Sequence, residues 1–223
     1  MITLYTAGTP NGHKISIALE ELGLPYEAKK VNLREGEQFA AEFLRISPNN
    51  KIPAITDGEL SIFESGAILV YLAEKTGKLL APAGPARYAA LQWLFFQVGN
   101  TGPMLGQVHH FRNYAPEKIP YAIERYTNEG KRLYAVVDRR LSEAKYLAGD
   151  AYTIADIANL TWLRLHANQG IALDEYPHLA RWKTELEARP AVQRGLAVPP
   201  STNAPMDERA REALFGKKQY ERR

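Results

Sequence analysis

Asn49-Asn50-Lys51-Ile52-Pro53-Ala54-Ile55, followed by Leu60-Ser61-Ile62-Phe63-Glu64-Ser65-Gly66-Ala67-Ile68, reads as loop, strand, turn, strand and helix start. Pro53 follows an apolar residue and opens a short β-prone run. Without an N–H it cannot donate to a central ladder, so it suits a turn or a strand entrance. An X-Pro bond at such a place can be cis, which is uncommon and usually serves a purpose. Asp57-Gly58 lies between two apolar runs and signals a hairpin turn. Ser65 precedes the helical run Gly66 to Glu74, and free N–H groups at a helix start favour an anionic ligand. Glu64 beside it is oddly placed, because a strand-to-helix junction in a core has little use for an acid. A carboxylate next to a helix N-terminus suits a zwitterion, with an ammonium at Glu64 and a carboxylate at Ser65. The local pattern alone favours a plainer reading, in which Ser65 is a cap and Glu64 a first-turn acid.

Ile2 to Tyr5 is a strand, Gly8 to Gly12 a loop, and His13 to Leu22 a helix stopped by Gly23. Tyr26 to Leu33 is a second strand, and Phe39, Phe43 and Leu44 mark a short helix. The order βαβ, α, ββα is that of a small four-stranded α/β domain. Residues 81–85, Ala-Pro-Ala-Gly-Pro, form a linker and a domain boundary. Strand signals nearly vanish after it. Tyr88 to Phe96 is a helix apolar over much of its surface, broken or kinked at Gly102-Pro103. Pro120 opens a long helix reaching Ala144, with Ile123, Tyr126, Leu133, Val137 and Leu141 facing a core. Thr153 caps the next helix while Asp156 reaches back, a capping box with a shorter acid. Pro177 to Ala188 is a further helix, and Arg189-Pro190 breaks it.

Composition narrows the class. The 223 residues are 45% hydrophobic and 24% charged, ordinary for a soluble globule. There is no cysteine, hence no disulfide framework, no thiolate metal site and no protein thiol nucleophile. That fits a reducing cytoplasm. The chain opens on a strand rather than a charged-then-apolar leader, and no apolar run approaches a membrane span. The net charge of +3 sits entirely in the last seven residues, where four basic side chains face one acid. A solvated tail explains it better than a nucleic-acid face does. No spacing of His and carboxylates suggests a metal.

Taken together, a thioredoxin-type α/β domain followed by an all-α domain resembles the cytosolic glutathione transferases. The resemblance covers residues 1 to 197. It is most specific at Thr9-Pro10-Asn11-Gly12-His13-Lys14, at Ser47-Pro48-Asn49-Asn50-Lys51-Ile52-Pro53-Ala54-Ile55, and from Gln92-Trp93-Leu94 through Gly102-Pro103-Met104-Leu105-Gly106-Gln107. These look like the nu class, the bacterial glutathione-dependent disulfide-bond oxidoreductases. The resemblance implies a glutathione-binding domain over 1–80, an all-α domain over 87–198 and an extended tail over 199–223. It also implies a homodimer, with the aromatic helix from Tyr88 to Phe96 as part of the interface.

The same resemblance implies a glutathione site. Glu64, Ser65 and Gln38 would hold the γ-glutamyl end. The Ile52 main chain, beside Pro53, would pair with the cysteinyl backbone, strand against strand. Lys51 would meet the glycyl carboxylate as a point charge. Arg132, from the long helix, would reach a glutathione carboxylate, in the same or a neighbouring subunit. Alone, Lys51 and Arg132 read as solvated surface charges. Many members activate the thiol with a hydroxyl at the end of the first strand, and some bacterial ones use a cysteine. Here the loop offers Thr9 and Asn11, while Tyr5 reads as core. A thiol with a pKa near 8.5 is only a few per cent ionised at neutral pH, and lowering it by about two units takes roughly 2.7 kcal/mol. Thr9, Asn11, nearby N–H groups and the helix start near His13 could supply that. His13, His109 and His110 are weaker candidates, as bases.

Three functions compete. The first is disulfide reduction by glutathione thiols alone. The second is a conventional transferase or peroxidase, acting on electrophiles or organic hydroperoxides. The third is a non-catalytic relative that binds ligands or partner proteins. Intact Thr9, Asn11, Pro53, Glu64 and Ser65 argue against the third.

Overall fold

The computed structural model describes residues 1–200 and 207–221. Its contacts form two compact units: Met1–Ile68 with the chain from Arg194 onward, and Leu69–Gln193.

The first unit holds a four-stranded sheet of β1 (Ile2–Thr6), β2 (Tyr26–Lys30), β3 (Ala54–Asp57) and β4 (Leu60–Phe63) in the order β2-β1-β3-β4. Helix α1 (Pro10–Leu22) makes the crossover between the parallel pair β1 and β2. The β1/β3 and β3/β4 pairs are antiparallel, with Gly58 at φ +61 in the hairpin turn. β1 alternates as its sequence demands, with Ile2, Leu4 and Thr6 buried. β2 is an exposed edge and ends at Lys30, short of the expected Leu33. One further bond, from the Val31 N–H to the Thr6 carbonyl at 2.8 Å, is all that continues it. Helix α2 (Ala41–Ile46) sets Phe43 into a cluster with Ala7, Val31, Ile52 and Ala54.

Helix α1 is punctuated at both ends. Thr9 caps it, Pro10 takes the first turn, and Gly23 at φ +66 closes it. The helix is buried well beyond a one-sided stripe, because the chain after Arg194 returns across it. Ser16 Oγ donates to the Gly195 carbonyl at 2.6 Å. A Cβ on Gly195 would lie 2.5 Å from Ile17 Cα. Gly195→Ala should therefore cost about 1–3 kcal/mol, as overpacking does. An unchanged melting temperature would show that the contact gives way easily.

Helix α3 (Ser65–Thr76) starts in the first unit and runs into the second, so the division between units falls ahead of residues 81–85. The second unit is helical: α4 (Gly84–Phe96), α5 (Gly102–His109), α6 (Pro120–Glu143), α7 (Ile154–Leu163), α8 (Pro177–Glu187) and the start of α9 (Pro190–Leu196). The expected break at Gly102-Pro103 is a π-helical turn over Gln97–Thr101, in which the Gly102 N–H reaches the Gln97 carbonyl. The wider coil carries the helix past the proline instead of ending it. On α6, Leu133, Val137 and Leu141 are buried, whereas Ile123 and Tyr126, expected on the same stripe, are only half-buried. All ten residues of α7 are buried, with α4, α5 and α8 packed against it. The capping box is complete, and the Asp156 carboxylate also accepts from Leu147 N–H and Trp182 Nε1, each at 3.0 Å.

The tail departs from its expected form. Residues 201–206 and 222–223 lie outside the described residues, but Glu208–Phe215 is a helix, α10, rather than extended chain. Asp207 caps it, accepting from the Ala210 N–H at 2.7 Å. Its buried face is only Ala210 and Ala213, too faint a stripe to stand out from the charged residues around it.

Among the described residues no helix is long and apolar enough to cross a membrane, and no cluster of His, Cys, Asp or Glu could hold a metal.

Candidate active site

Strand register brings the site together. β1 pairs Tyr5 with Ala54, and Ala54 in turn pairs with Phe63. The end of β1, the loop before β3 and the end of β4 are thus side by side. From them lead α1, the 51–53 stretch and the Glu64-Ser65 junction. A cleft of about 160 Å³ opens there, lined by Asn11, Lys51, Ile52, Pro53, Glu64 and Ser65 together with Ser47, Asn49 and Phe63.

Each wall has a local cause. The Ile52-Pro53 bond is cis. Ser47 Oγ donates to the Lys51 carbonyl at 2.8 Å, pinning the loop, while the Ile52 side chain anchors in the apolar cluster. Burial pushes the Lys51 ammonium below its ordinary pKa. Glu64 sits at φ +69, a left-handed conformation that a non-glycine residue adopts at a cost. Its carbonyl accepts from the Ile68 N–H at 3.0 Å, so Glu64 is the residue that caps α3. Ser65 opens the helix and is buried.

Thr9 is not in the cleft wall. It stands two residues before Asn11 as the cap of α1, where its Oγ1 accepts from the Gly12 N–H at 3.2 Å. A hydroxyl that accepts still has a hydrogen to donate. Tyr5 packs with the apolar cluster, its ring 6.2 Å from that of Phe43. Gln38 is buried, its Nε2 donating to the Ala213 carbonyl on α10 at 3.3 Å, while its Oε1 has no partner among the described residues.

Arg132 lies in the second unit, on α6, in a fork with Glu129 at 2.7 and 2.8 Å. It lines a separate cavity of about 640 Å³ with Met104, Tyr121, Arg125 and Tyr126 among others. His13 turns its ring to the Pro199 carbonyl at 3.1 Å. His109 packs on Trp162 at 5.8 Å between ring centroids, and burial lowers its pKa, as it does for His110.

Two features escape the sequence reading. Lys14, inside α1, is almost wholly buried, and its Nζ donates to Ser65 Oγ at 3.0 Å. A lysine among Ile15, Ile17, Ala18 and Leu19 is the signal that could have found it. The second is the arm after Asp207. Gln219 donates to the Ala213 carbonyl at 2.7 Å and accepts from Lys51 Nζ at 3.1 Å. The arm thus touches two of the expected site residues, Gln38 and Lys51.

The family models for the glutathione S-transferase N-terminal and C-terminal domains match residues 1–74 and 103–190. The disulfide-bond oxidoreductase YfcG of Escherichia coli is 55% identical over 203 residues, spanning 88% of this chain and 94% of that protein. A glutathione transferase family member from Pseudomonas fluorescens, solved with two glutathiones bound, superposes with a TM-score of 0.85 at 47% identity, over 89% of this chain and 93% of that one. A glutathione transferase from Pseudomonas putida, solved with one glutathione disulfide per subunit, gives 0.85 at 44% identity, over 89% and 91%. With both halves matched and the likeness running nearly the full length of its relatives, the chain belongs to the glutathione S-transferase family.

Proposed function

We propose that this protein reduces disulfide bonds with glutathione, using glutathione thiols and no thiol of its own. The observation that carries the reading is a cleft lined by Asn11, Lys51, Glu64 and Ser65 in a chain without cysteine. Glutathione has one ammonium, two carboxylates and a thiol. Glu64 suits the ammonium, Ser65 and the start of α3 suit one carboxylate, and Lys51 suits the other. Asn11 and the amides opening α1 are the donors for the sulfur, with Thr9 at the cap. Gln38 is not among the residues lining that cleft, and its Oε1, without a partner among the described residues, would be a further acceptor for the γ-glutamyl ammonium.

One glutathione thiolate attacks a sulfur of the substrate disulfide. That S–S bond breaks, a mixed disulfide forms, and the departing thiolate takes a proton. A second glutathione thiolate attacks the glutathione sulfur of the mixed disulfide. It releases the second substrate thiol and leaves as oxidised glutathione. Two glutathiones lose two electrons, and the substrate disulfide gains them. The protein's part is to hold the thiolate form and line up the sulfurs.

Arg132 is the exposed arm of a bidentate pair in a wide cavity, which supports its meeting a glutathione carboxylate of a second copy in a homodimer. Exposed Tyr88 and Phe95 on α4 support the same pairing. A reducing, glutathione-rich cytoplasm is the compartment that suits this chemistry.

The test is reduction of a small model disulfide by glutathione, coupled to glutathione reductase and NADPH loss, beside conjugation to an aromatic electrophile. Fast disulfide turnover with slow conjugation is expected. The opposite ratio would make the protein a conventional transferase. Glu64→Ala should weaken glutathione binding about tenfold by removing an ion-paired hydrogen bond, with the fold intact. Unchanged affinity would remove Glu64 from the site.

A further inference from the structure

We propose that Lys14 is a positioning residue for the anion site, its ammonium fixing the direction in which Ser65 donates and supplying a buried positive charge beneath the bound carboxylate. The proposal rests on the reading that the γ-glutamyl end of glutathione binds at Glu64 and Ser65. A lysine ammonium has three donors and no acceptor. Whenever Lys14 is protonated, the form a bound carboxylate favours, Ser65 Oγ at 3.0 Å from its Nζ must therefore accept. Its single hydrogen is then committed elsewhere, and the cleft that Ser65 lines is where an acceptor would meet it. A serine without such a neighbour can turn its hydrogen to any nearby carbonyl. This one is set to donate.

Helix α1 has a cap, a first-turn proline and a closing glycine. The Lys14 side chain is only 2% exposed, an expensive place for an ammonium. Desolvation pulls its pKa down to about 7, with the Glu64 carboxylate partly opposing. Charged and titratable groups along α1 and in the cleft wall have partners of their own. His13 turns to the Pro199 carbonyl, Lys51 reaches Gln219, and Glu20 further along α1 pairs with Arg194 from the returning chain. A ligand carboxylate at Ser65 would add a second negative neighbour to Glu64. It would favour the protonated lysine and draw a proton from solvent.

Two signs follow. In the free protein the unfolded chain holds the Lys14 proton up to about 10.5 and the folded one only to about 7. Stability should therefore rise with pH across that window, and Lys14→Met should flatten the rise. Binding works the other way. A ligand that raises the folded pKa binds best where the lysine is already charged, so affinity should fall as pH climbs above about 7.

The experiment is calorimetric titration with S-methylglutathione, whose blocked thiol removes thiol ionisation from the proton count. It is run at pH 8 in phosphate and in Tris, which differ in ionisation enthalpy. The wild-type protein should take up a measurable fraction of a proton on binding. Lys14→Met should bind about tenfold more weakly, with that uptake gone, while its melting temperature equals or exceeds that of the wild type. Lys14→Arg keeps the charge at every working pH, so it should bind without proton uptake and with a flatter pH profile. Tight binding by Lys14→Met with the same proton uptake would overturn the proposal and leave the glutathione reading standing. No binding by the wild-type protein would overturn both.

Discussion

Replacing Asp156 with alanine is expected to destabilise the helical unit by about 3–5 kcal/mol, the range for removing one partner of a buried charged network. The carboxylate is fully buried and takes four donors. Thr153 N–H and Oγ1 reach Oδ2 at 3.0 and 3.1 Å, and Leu147 N–H and Trp182 Nε1 reach Oδ1 at 3.0 Å each. Burial raises its pKa, and those hydrogen bonds oppose the shift. Alanine would strand all four donors in the interior, each costing about 1–3 kcal/mol before the structure relaxes. Asp156→Asn should fall between, because an amide offers one acceptor oxygen and sets an NH₂ against donors. Chemical denaturation of the two variants checks this. A loss below about 1 kcal/mol for Asp156→Ala would mean that water replaces the carboxylate at little cost.

Asn11→Ala is expected to lower kcat for disulfide reduction about a hundredfold while changing glutathione affinity much less, as loss of a donor to developing or resident negative charge does. Asn11 lines the cleft on the first turn of α1, whereas Glu64, Ser65 and Lys51 supply the binding charges. The pH dependence of kcat/KM should move with it. A thiol less well stabilised as thiolate ionises higher, so the rising limb should shift to higher pH. Thr9→Ala makes a useful contrast, because Thr9 also caps α1. It should lose about 1 kcal/mol of stability as well as turnover. Thr9→Ser should restore both. Affinity lost with turnover intact in Asn11→Ala would move that residue from the sulfur to the binding wall.

Much of this architecture could be read from local signals. Pro53, Asp57-Gly58 and Glu64-Ser65 mark the strand–turn–strand–helix that carries half the cleft, and each is a short-range cue. The Thr153–Asp156 box was equally local. What stayed hidden depends on partners distant in sequence. Trp182 joining Asp156 spans 26 residues, and Lys14 reaching Ser65 spans 51. Gln38 meeting the arm at Ala213 spans 175. No periodicity announces such pairs. Val31 and Leu33 look strand-like and lengthen the expected β2, yet they turn inward to the cluster around Phe43. The π turn at Gln97–Thr101 was invisible because Gly-Pro usually ends a helix.

The left-handed backbone at Glu64 bears on how this protein would respond to selection. An L-residue held there gives up about 1–2 kcal/mol that glycine would not. A screen rewarding heat resistance alone would be drawn to Glu64→Gly, improving the fold while erasing the carboxylate. A screen that also demands glutathione turnover would hold the glutamate in place. Position 64 is thus a place where the two pressures on this chain pull in opposite directions.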